Sequence, residues 1–369
     1  MKDIYADYQN SIVNLSCSIL KYYGAKNEHS TLENIDEILK DEYKNVVIIL
    51  LDGLGMDALQ YHSEENGFFR KHLISEYSSV FPPTTTAATT SLESGLTPLE
   101  HGWLGWSLYF SEIDKIVNAF INTEKDTNIQ VADYHVANQF IPYKSIYQKI
   151  KDAGMANAYS VSKFGSNRIN SFDEMTNEIM RLCGTTEKKY IYGYWENPDS
   201  LMHEFGCYSN QVAKSIKELE NKVEEMCKSL SDTLVIITAD HGHCNLKHYI
   251  LSDYPKLIKM LKRPNSIETR AVAFYIKDEY LNDFPAEFNS EFKDEFLLLS
   301  KREVIEHEIF GDGKMHPKFE EFIGDYLAIA ISNKGIVYSQ DSSQFISNHA
   351  GMTEKEMKIP LIAICKNKE

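Results

Sequence analysis

Four short segments carry residues whose types and spacing suit cation chemistry: Asp52-Gly53, Asp199 four positions before His203, Asp240-His241-Gly242, and His349 within Ser347-Asn-His-Ala-Gly-Met352. Carboxylate oxygens and neutral imidazole nitrogens are both good zinc donors. If a helix opens after Pro198, the four-residue spacing places Asp199 and His203 on one face of it. A separate stretch offers a nucleophile. Pro82-Pro83 leads into Thr84–Ser91, where five threonines and a serine fall within eight residues. Prolines oppose a central strand but suit the first turn of a helix, and hydroxyl residues suit its N-cap. The stretch therefore presents hydroxyls where a turn becomes a helix. Singly, each feature has a plainer use: a helix cap for Asp52, Asp199 or the threonines, a turn for His241-Gly242, a loop for His349.

The elements that must position these residues favour the chemical reading. Asn45–Leu51, Lys189–Trp195 and Thr233–Thr238 are runs of β-branched, apolar and aromatic residues, each leading into one of the acidic segments. Such runs read as strands buried on both faces, usual in parallel sheets. Helical periodicity over Asp7–Tyr23, Thr31–Leu39, Ser145–Ala153, Phe172–Leu182 and Gln211–Leu230, with a further strand at Asn157–Val161, completes an alternating pattern. This predicts an α/β fold with a central, mostly parallel sheet sandwiched between helices. Open α/β sheets place their sites at the carboxyl ends of the strands. Acid and imidazole groups gathered at that edge are hard to hold together without a cation.

From about 247 to 338 the sequence becomes charged and mixed, with strand-like Arg270–Ile276 and Tyr326–Ile331 and helix-like Phe288–Leu299 and Arg302–Phe310. Core-like sequence resumes at Met357–Ile364. The expectation is a single catalytic domain over 1–369 with a smaller cap subdomain inserted at about 247–338. A formal net charge of −16 and a pI near 5.3 disfavour nucleic-acid polymers, which need a positive face, but allow a small phosphate ester or nucleotide in a local pocket. The six cysteines include no CxxC pair. Neither a signal-peptide core nor a membrane-length apolar run is evident, so the expected placement is cytoplasmic and away from membranes.

In its order of motifs the chain resembles the alkaline phosphatase superfamily, most nearly the type I phosphodiesterase/nucleotide pyrophosphatase branch, from about Asn45 to Ile364. That resemblance implies two divalent metal ions, zinc first, with manganese or iron compatible with the same donors. One would take Asp199, His203 and His349; the other would take Asp52, Asp240, His241 and the nucleophile hydroxyl. Counting back from Ser94-Gly95-Leu96-Thr97-Pro98 puts the family's nucleophile at Thr85, implying a phospho-threonine intermediate. A departure is visible at Trp106, which stands where the branch has a phosphate-binding asparagine; its ring could instead meet a planar leaving group. His243 and Arg270 are further candidates for substrate contact. The implied activity is hydrolysis of phosphodiesters. Phosphate monoesters or phosphonates are alternatives within the superfamily, and a non-catalytic metal-binding regulator is the alternative outside it.

Overall fold

The computed structural model describes residues 5–127, 129–340, 342 and 345–367. Its first sheet has seven strands in the spatial order Leu73–Ser78, Lys358–Lys366, Thr233–Thr238, Asn45–Leu51, Lys189–Trp195, Asn157–Ser162 and Asn167–Arg168. Only Lys358–Lys366 runs against the rest, because both of its pairings are antiparallel. Asn45–Leu51 lies centrally, paired in parallel with Lys189–Trp195 on one side and Thr233–Thr238 on the other. All seven of its residues are buried, as its continuous apolar run requires. Full burial of each Val, Ile or Leu side chain contributes about 1.5–3 kcal/mol.

Helices cover both faces of this sheet at nearly the expected bounds. Ile146–Ala153 and Phe172–Cys183 begin where the Ser145 and Ser171 hydroxyls accept from the backbone N–H three residues on. Asn210–Lys228 buries Val212, Ile216, Leu219, Val223 and Met226 along one stripe. The Thr-rich stretch is a helix over Thr85–Ser94 that ends at Gly95, whose φ of +69° is a left-handed cap. Helix Ile12–Tyr22 packs against it. Ser16 Oγ donates to the Leu92 carbonyl at 2.7 Å, and a Cβ on Gly95 would meet Leu20 Cδ1 at 2.9 Å.

A second seven-stranded sheet stands beside the first, in the order Phe296–Ser300, Tyr326–Ala330, Ala271–Phe274, Ser266–Ile267, Ser107–Phe110, Lys115–Asn118 and Thr123–Glu124. Three of its strands come from 107–124, a segment that hydrophobic patterning did not single out. The Phe288–Leu299 helix expectation needs correction. The helix is Phe284–Phe292, whose Phe284, Phe288 and Phe292 fall on one buried stripe. Phe296–Ser300 is instead a strand, because Phe296 through Leu299 pair with Ala330 through Leu327. Arg302–Phe310 likewise shortens to a helix over Lys301–Glu306. Among the described residues, no helix is long and apolar enough to cross a membrane.

Candidate active site

The carboxyl ends of three parallel strands of the first sheet deliver the candidate ligands. Asp52 follows Leu51 directly, and Asp240 lies two residues beyond Thr238. Asp52 caps no helix, since the next one, Met56–His62, starts from Gly55. After Trp195 the chain turns into helix Asp199–Phe205, where Asp199 Oδ1 and His203 Nε2 are 3.3 Å apart on one face. Two glycines allow the segments to approach. A Cβ on Gly53, at φ +75°, would lie 2.9 Å from Asp199 Cα, and one on Gly242 would meet the Lys355 carbonyl at 2.0 Å. His349 arrives from the loop before the last strand.

These residues converge on one cluster with two lobes. Donor atoms of Asp199, His203, His243 and His349 all lie within 4.8 Å of one another, as do those of Asp52, Asp199 and His241. Asp240 joins the second lobe: its Oδ1 accepts from the Gly53 and His241 N–H groups, and its Oδ2 lies 3.5 Å from His241 Nε2. Asp52 Oδ2 accepts from the Tyr194 hydroxyl.

Of the three adjacent threonines, Thr85 faces this cluster. Its Oγ1 is 3.2 Å from His241 Nε2 and 3.4 and 3.5 Å from the two Asp52 oxygens. Thr84 is the N-cap by position, yet its hydroxyl donates to Glu268 Oε1 at 2.7 Å and does not cap the helix. Thr86 is fully buried and does not line the pocket. The helix N-terminus therefore points its partial positive charge at the cluster with no side-chain cap over it.

Three observations fit divalent cations to these residues. Asp240 Oδ2 is buried with no hydrogen-bond partner among the described residues, which is costly unless a cation takes it up. Burial, then the neighbouring charges of Asp240 and Asp199, push the Asp52 carboxyl well above the ordinary carboxylate range. Finally, the Nδ1 atoms of His203, His241 and His349 meet the carbonyls of Ser347, Gly242 and Pro83 at 2.8, 3.1 and 3.2 Å. A carbonyl only accepts, so each Nδ1 carries the proton and each Nε2 turns a lone pair inward, the arrangement that an outer hydrogen bond imposes on a metal-binding histidine. The His241 and His349 rings stack at 3.7 Å, close quarters for two imidazolium cations but not for neutral rings.

A pocket of about 580 Å³ opens over the cluster. Thr84, Thr85, Asp199, His203 and His349 form its floor side, while Trp106, Lys125, Asn265, Glu268 and Thr269 of the second sheet and its loops wall it, with Tyr338 and Phe345. Trp106 is 40% exposed on this rim, and its backbone N–H donates to Glu268 Oε1 at 2.8 Å. Trp103, by contrast, is a packing residue: it is buried and its indole N–H donates to the Ile141 carbonyl at 2.8 Å.

Two expected substrate contacts are not in the pocket. Arg270 is completely buried, its guanidinium bidentate on Glu356 at 2.6 and 2.7 Å and donating also to the Lys334 and Ser332 carbonyls. Those bonds engage its Nε and both terminal nitrogens, so it pins the second sheet to the short helix Glu354–Met357 before the last strand of the first. His243 is buried too, and its Nε2 sits 2.6 Å from Asp199 Oδ1, inside the ligand cluster and behind the pocket wall. Tyr194, Glu268 and Ser347 are the site residues that the sequence did not flag. Tyr194 lies in a strand whose aromatic richness explained it already, and Glu268 belongs to a segment with no motif of its own.

The profile of the type I phosphodiesterase/nucleotide pyrophosphatase family matches residues 46–343. The chain belongs to this family. It is thereby a phosphoric ester hydrolase of the alkaline phosphatase superfamily. Among solved structures it is similar to murine ectonucleotide pyrophosphatase/phosphodiesterase 5, inactive and in complex with AMP. That match has 16% identity, a TM-score of 0.67, and covers 88% of this chain and 90% of that one. The human counterpart matches at 18% identity and TM-score 0.67, covering 88% and 90%. Phosphonoacetate hydrolase from Sinorhizobium meliloti, in complex with phosphonoformate, matches at 15% identity and TM-score 0.62, covering 86% and 89%. At these identities the likeness is one of fold. No curated protein sequence matches the chain.

Proposed function

We propose that this chain hydrolyses small phosphodiesters, a nucleotide ester among them, through a covalent intermediate on Thr85. The observation that carries the reading is the position of Thr85 Oγ1, 3.2 Å from His241 Nε2 and 3.4–3.5 Å from Asp52 at the floor of the pocket. Asp199, His203 and His349 would hold one divalent cation, and Asp52, Asp240, His241 and Thr85 the other, with zinc as the first candidate. When bound, such a pair acts as a Lewis acid toward the phosphoryl oxygens and lowers the pKa of a coordinated hydroxyl.

The chain's own residues supply the rest. Thr85 Oγ attacks phosphorus as the ester bond to the leaving alcohol breaks, giving a phosphoryl-threonine that still carries the remaining ester group. Water then cleaves the new Oγ–P bond and restores the hydroxyl. The open N-terminus of helix Thr85–Ser94 favours both the alkoxide and the phosphoryl charge. Trp106, half exposed where the branch has an asparagine, offers an aromatic face to a base or other planar group. The AMP held by the murine relative supports that class of ligand. A chromogenic diester assayed with zinc supplied tests the reading; full activity in Thr85→Ala would refute the nucleophile.

A second reading, phosphonate hydrolysis, is favoured by Lys125, a cation on the pocket wall suited to a substrate carboxylate, and by the phosphonoacetate hydrolase likeness. Phosphate release from phosphonoacetate, compared with the diester rate, separates the two.

A further inference from the structure

His243 has a hydrogen-bonding pattern that the three-residue ligand set does not explain. Its Nδ1 lies 3.2 Å from Ser347 Oγ, and that hydroxyl gives its single proton to the Met202 carbonyl at 2.6 Å. Ser347 Oγ can therefore only accept from His243, so Nδ1 is the protonated nitrogen. In the neutral ring this leaves a lone pair on Nε2, and Nε2 points at Asp199 Oδ1 from 2.6 Å. Two lone pairs that close, with His243 buried and Asp199 largely so, repel unless a cation lies between them. The same orientation holds for His203 and His349, whose Nε2 atoms lie 3.3 and 3.8 Å from that same Asp199 oxygen. The His243 ring centroid is 4.8 Å from that of His203 and 5.1 Å from that of His349. Three imidazoles thus face one carboxylate oxygen, each with its outer nitrogen tied to an acceptor.

We infer that His243 is a fourth protein ligand at the first cation position, making it a set of one aspartate and three histidines (Asp199, His203, His243 and His349). The inference rests on the two-cation reading above and goes beyond its three-ligand assignment. Catalytic zinc sites usually keep three protein ligands and an open position, whereas four protein ligands characterise structural sites. With one carboxylate and three neutral imidazoles, the first position keeps one net positive charge on a divalent ion. At the second position the two carboxylates of Asp52 and Asp240 offset both charges of a divalent ion. The first position therefore binds its cation tightly and meets substrate only by expanding its coordination, while the second carries Thr85.

Cobalt(II) loading and proton NMR test this directly, because each histidine ligand contributes one exchangeable, strongly shifted ring N–H resonance. The wild-type protein loaded with two cobalt ions is expected to give four such resonances, from His203, His241, His243 and His349. His243→Ala is expected to give three and to lose at least about tenfold in affinity for one ion of the two, the other unchanged. Two bound ions with only three resonances in the wild-type protein would overturn the assignment and leave the two-cation reading standing. Failure to bind two ions at all would overturn that reading as well. The wild-type count requires no variant to fold.

Discussion

The two walls of the pocket are built in opposite ways. One, the floor side, is backed by the carboxyl edge of a mostly parallel sheet, where Asp52, Asp240 and His241 arrive just beyond buried strands and Asp199 opens the helix that follows another. The other is a second sheet whose strand pairings are antiparallel and which presents Trp106, Glu268 and Lys125 from strand ends and loops. The first wall sets its donor atoms at or just beyond the ends of buried strands, and strands and helices hold bond-making groups more precisely than loops do. The second wall carries mixed polar and aromatic groups, as substrate selection needs. Substitutions on the first wall should act on kcat and those on the second on KM, and the following outcomes test that division.

The largest effect belongs to the first wall. Thr85→Ala should lower kcat for a diester by about a millionfold, the order seen when a covalent nucleophile is removed. Substrate binding, read by equilibrium dialysis, should change little. A KM effect with kcat intact would dissolve the division.

Next comes the joint between the walls. The Arg270–Glu356 pair joins the second sheet to the turn that precedes strand Lys358–Lys366, and the Glu356 carboxylate also accepts from the Gly351 N–H at 2.7 Å and the Thr353 hydroxyl at 2.5 Å. Removing one charge of a buried pair strands the other, so Glu356→Gln should cost about 3–5 kcal/mol in denaturant unfolding. It should loosen His349, two residues before Gly351, together with the second wall. A loss below about 1 kcal/mol would mean that the walls are held together by other contacts.

On the second wall, Trp106→Ala should raise KM for an aromatic or nucleotide diester by roughly tenfold, the scale of one base stacked on an aromatic ring, while kcat holds. A dialkyl phosphate should be unaffected. An equal loss with both substrates would assign the Trp106 side chain to phosphoryl positioning, through its indole N–H.

The smallest effect is a pH dependence of stability at the turn between the walls. His29 Nε2 and Glu100 Oε2 are 2.6 Å apart beside the Pro98–His101 turn. Burial opposes charging of both groups, but their hydrogen bond and mutual attraction outweigh it, raising the His29 pKa from 6.5 and lowering that of Glu100 from 4.5. The stabilisation from His29 is complete below its unfolded pKa and fades as pH rises through the folded one. That from Glu100 is complete above its unfolded pKa and fades as pH falls through its folded value. The Tm difference between wild type and His29→Gln should therefore peak between about pH 4.5 and 6.5. A difference that grows above pH 8 would contradict the pairing.

The same contrast governs what the sequence reveals. A strand buried on both faces writes its whole length in apolar residues, so Asn45–Leu51 and Thr233–Thr238 stand out, and the acid at each end is located with them. The pairing of Asp199 with His203 is legible for a similar reason, since helical spacing alone puts them on one face. Ser107–Phe110, Lys115–Asn118 and Thr123–Glu124 are two to four residues long and pair only with distant or equally short partners, which leaves too few positions for a period to register. Phe296–Leu299 continues a phenylalanine series of helical spacing, and only pairing with Leu327–Ala330 turns it into a strand. Arg270 and His243 show a different limit. A charged or imidazole group near a motif reads as a substrate contact until its surroundings are known; Glu356 takes the one and Asp199 the other.

The central claim is that Thr85, alone among six neighbouring hydroxyls, receives the phosphoryl group. Rapid acid quench during turnover of a diester, followed by fragmentation mass spectrometry of the peptide spanning Thr84–Ser91, tests it most directly. The expected result is one phosphoryl adduct, placed on Thr85 and absent from Thr85→Ala. An adduct on Thr84, Thr86 or any other residue, or steady turnover with no adduct at any quench time, would contradict it.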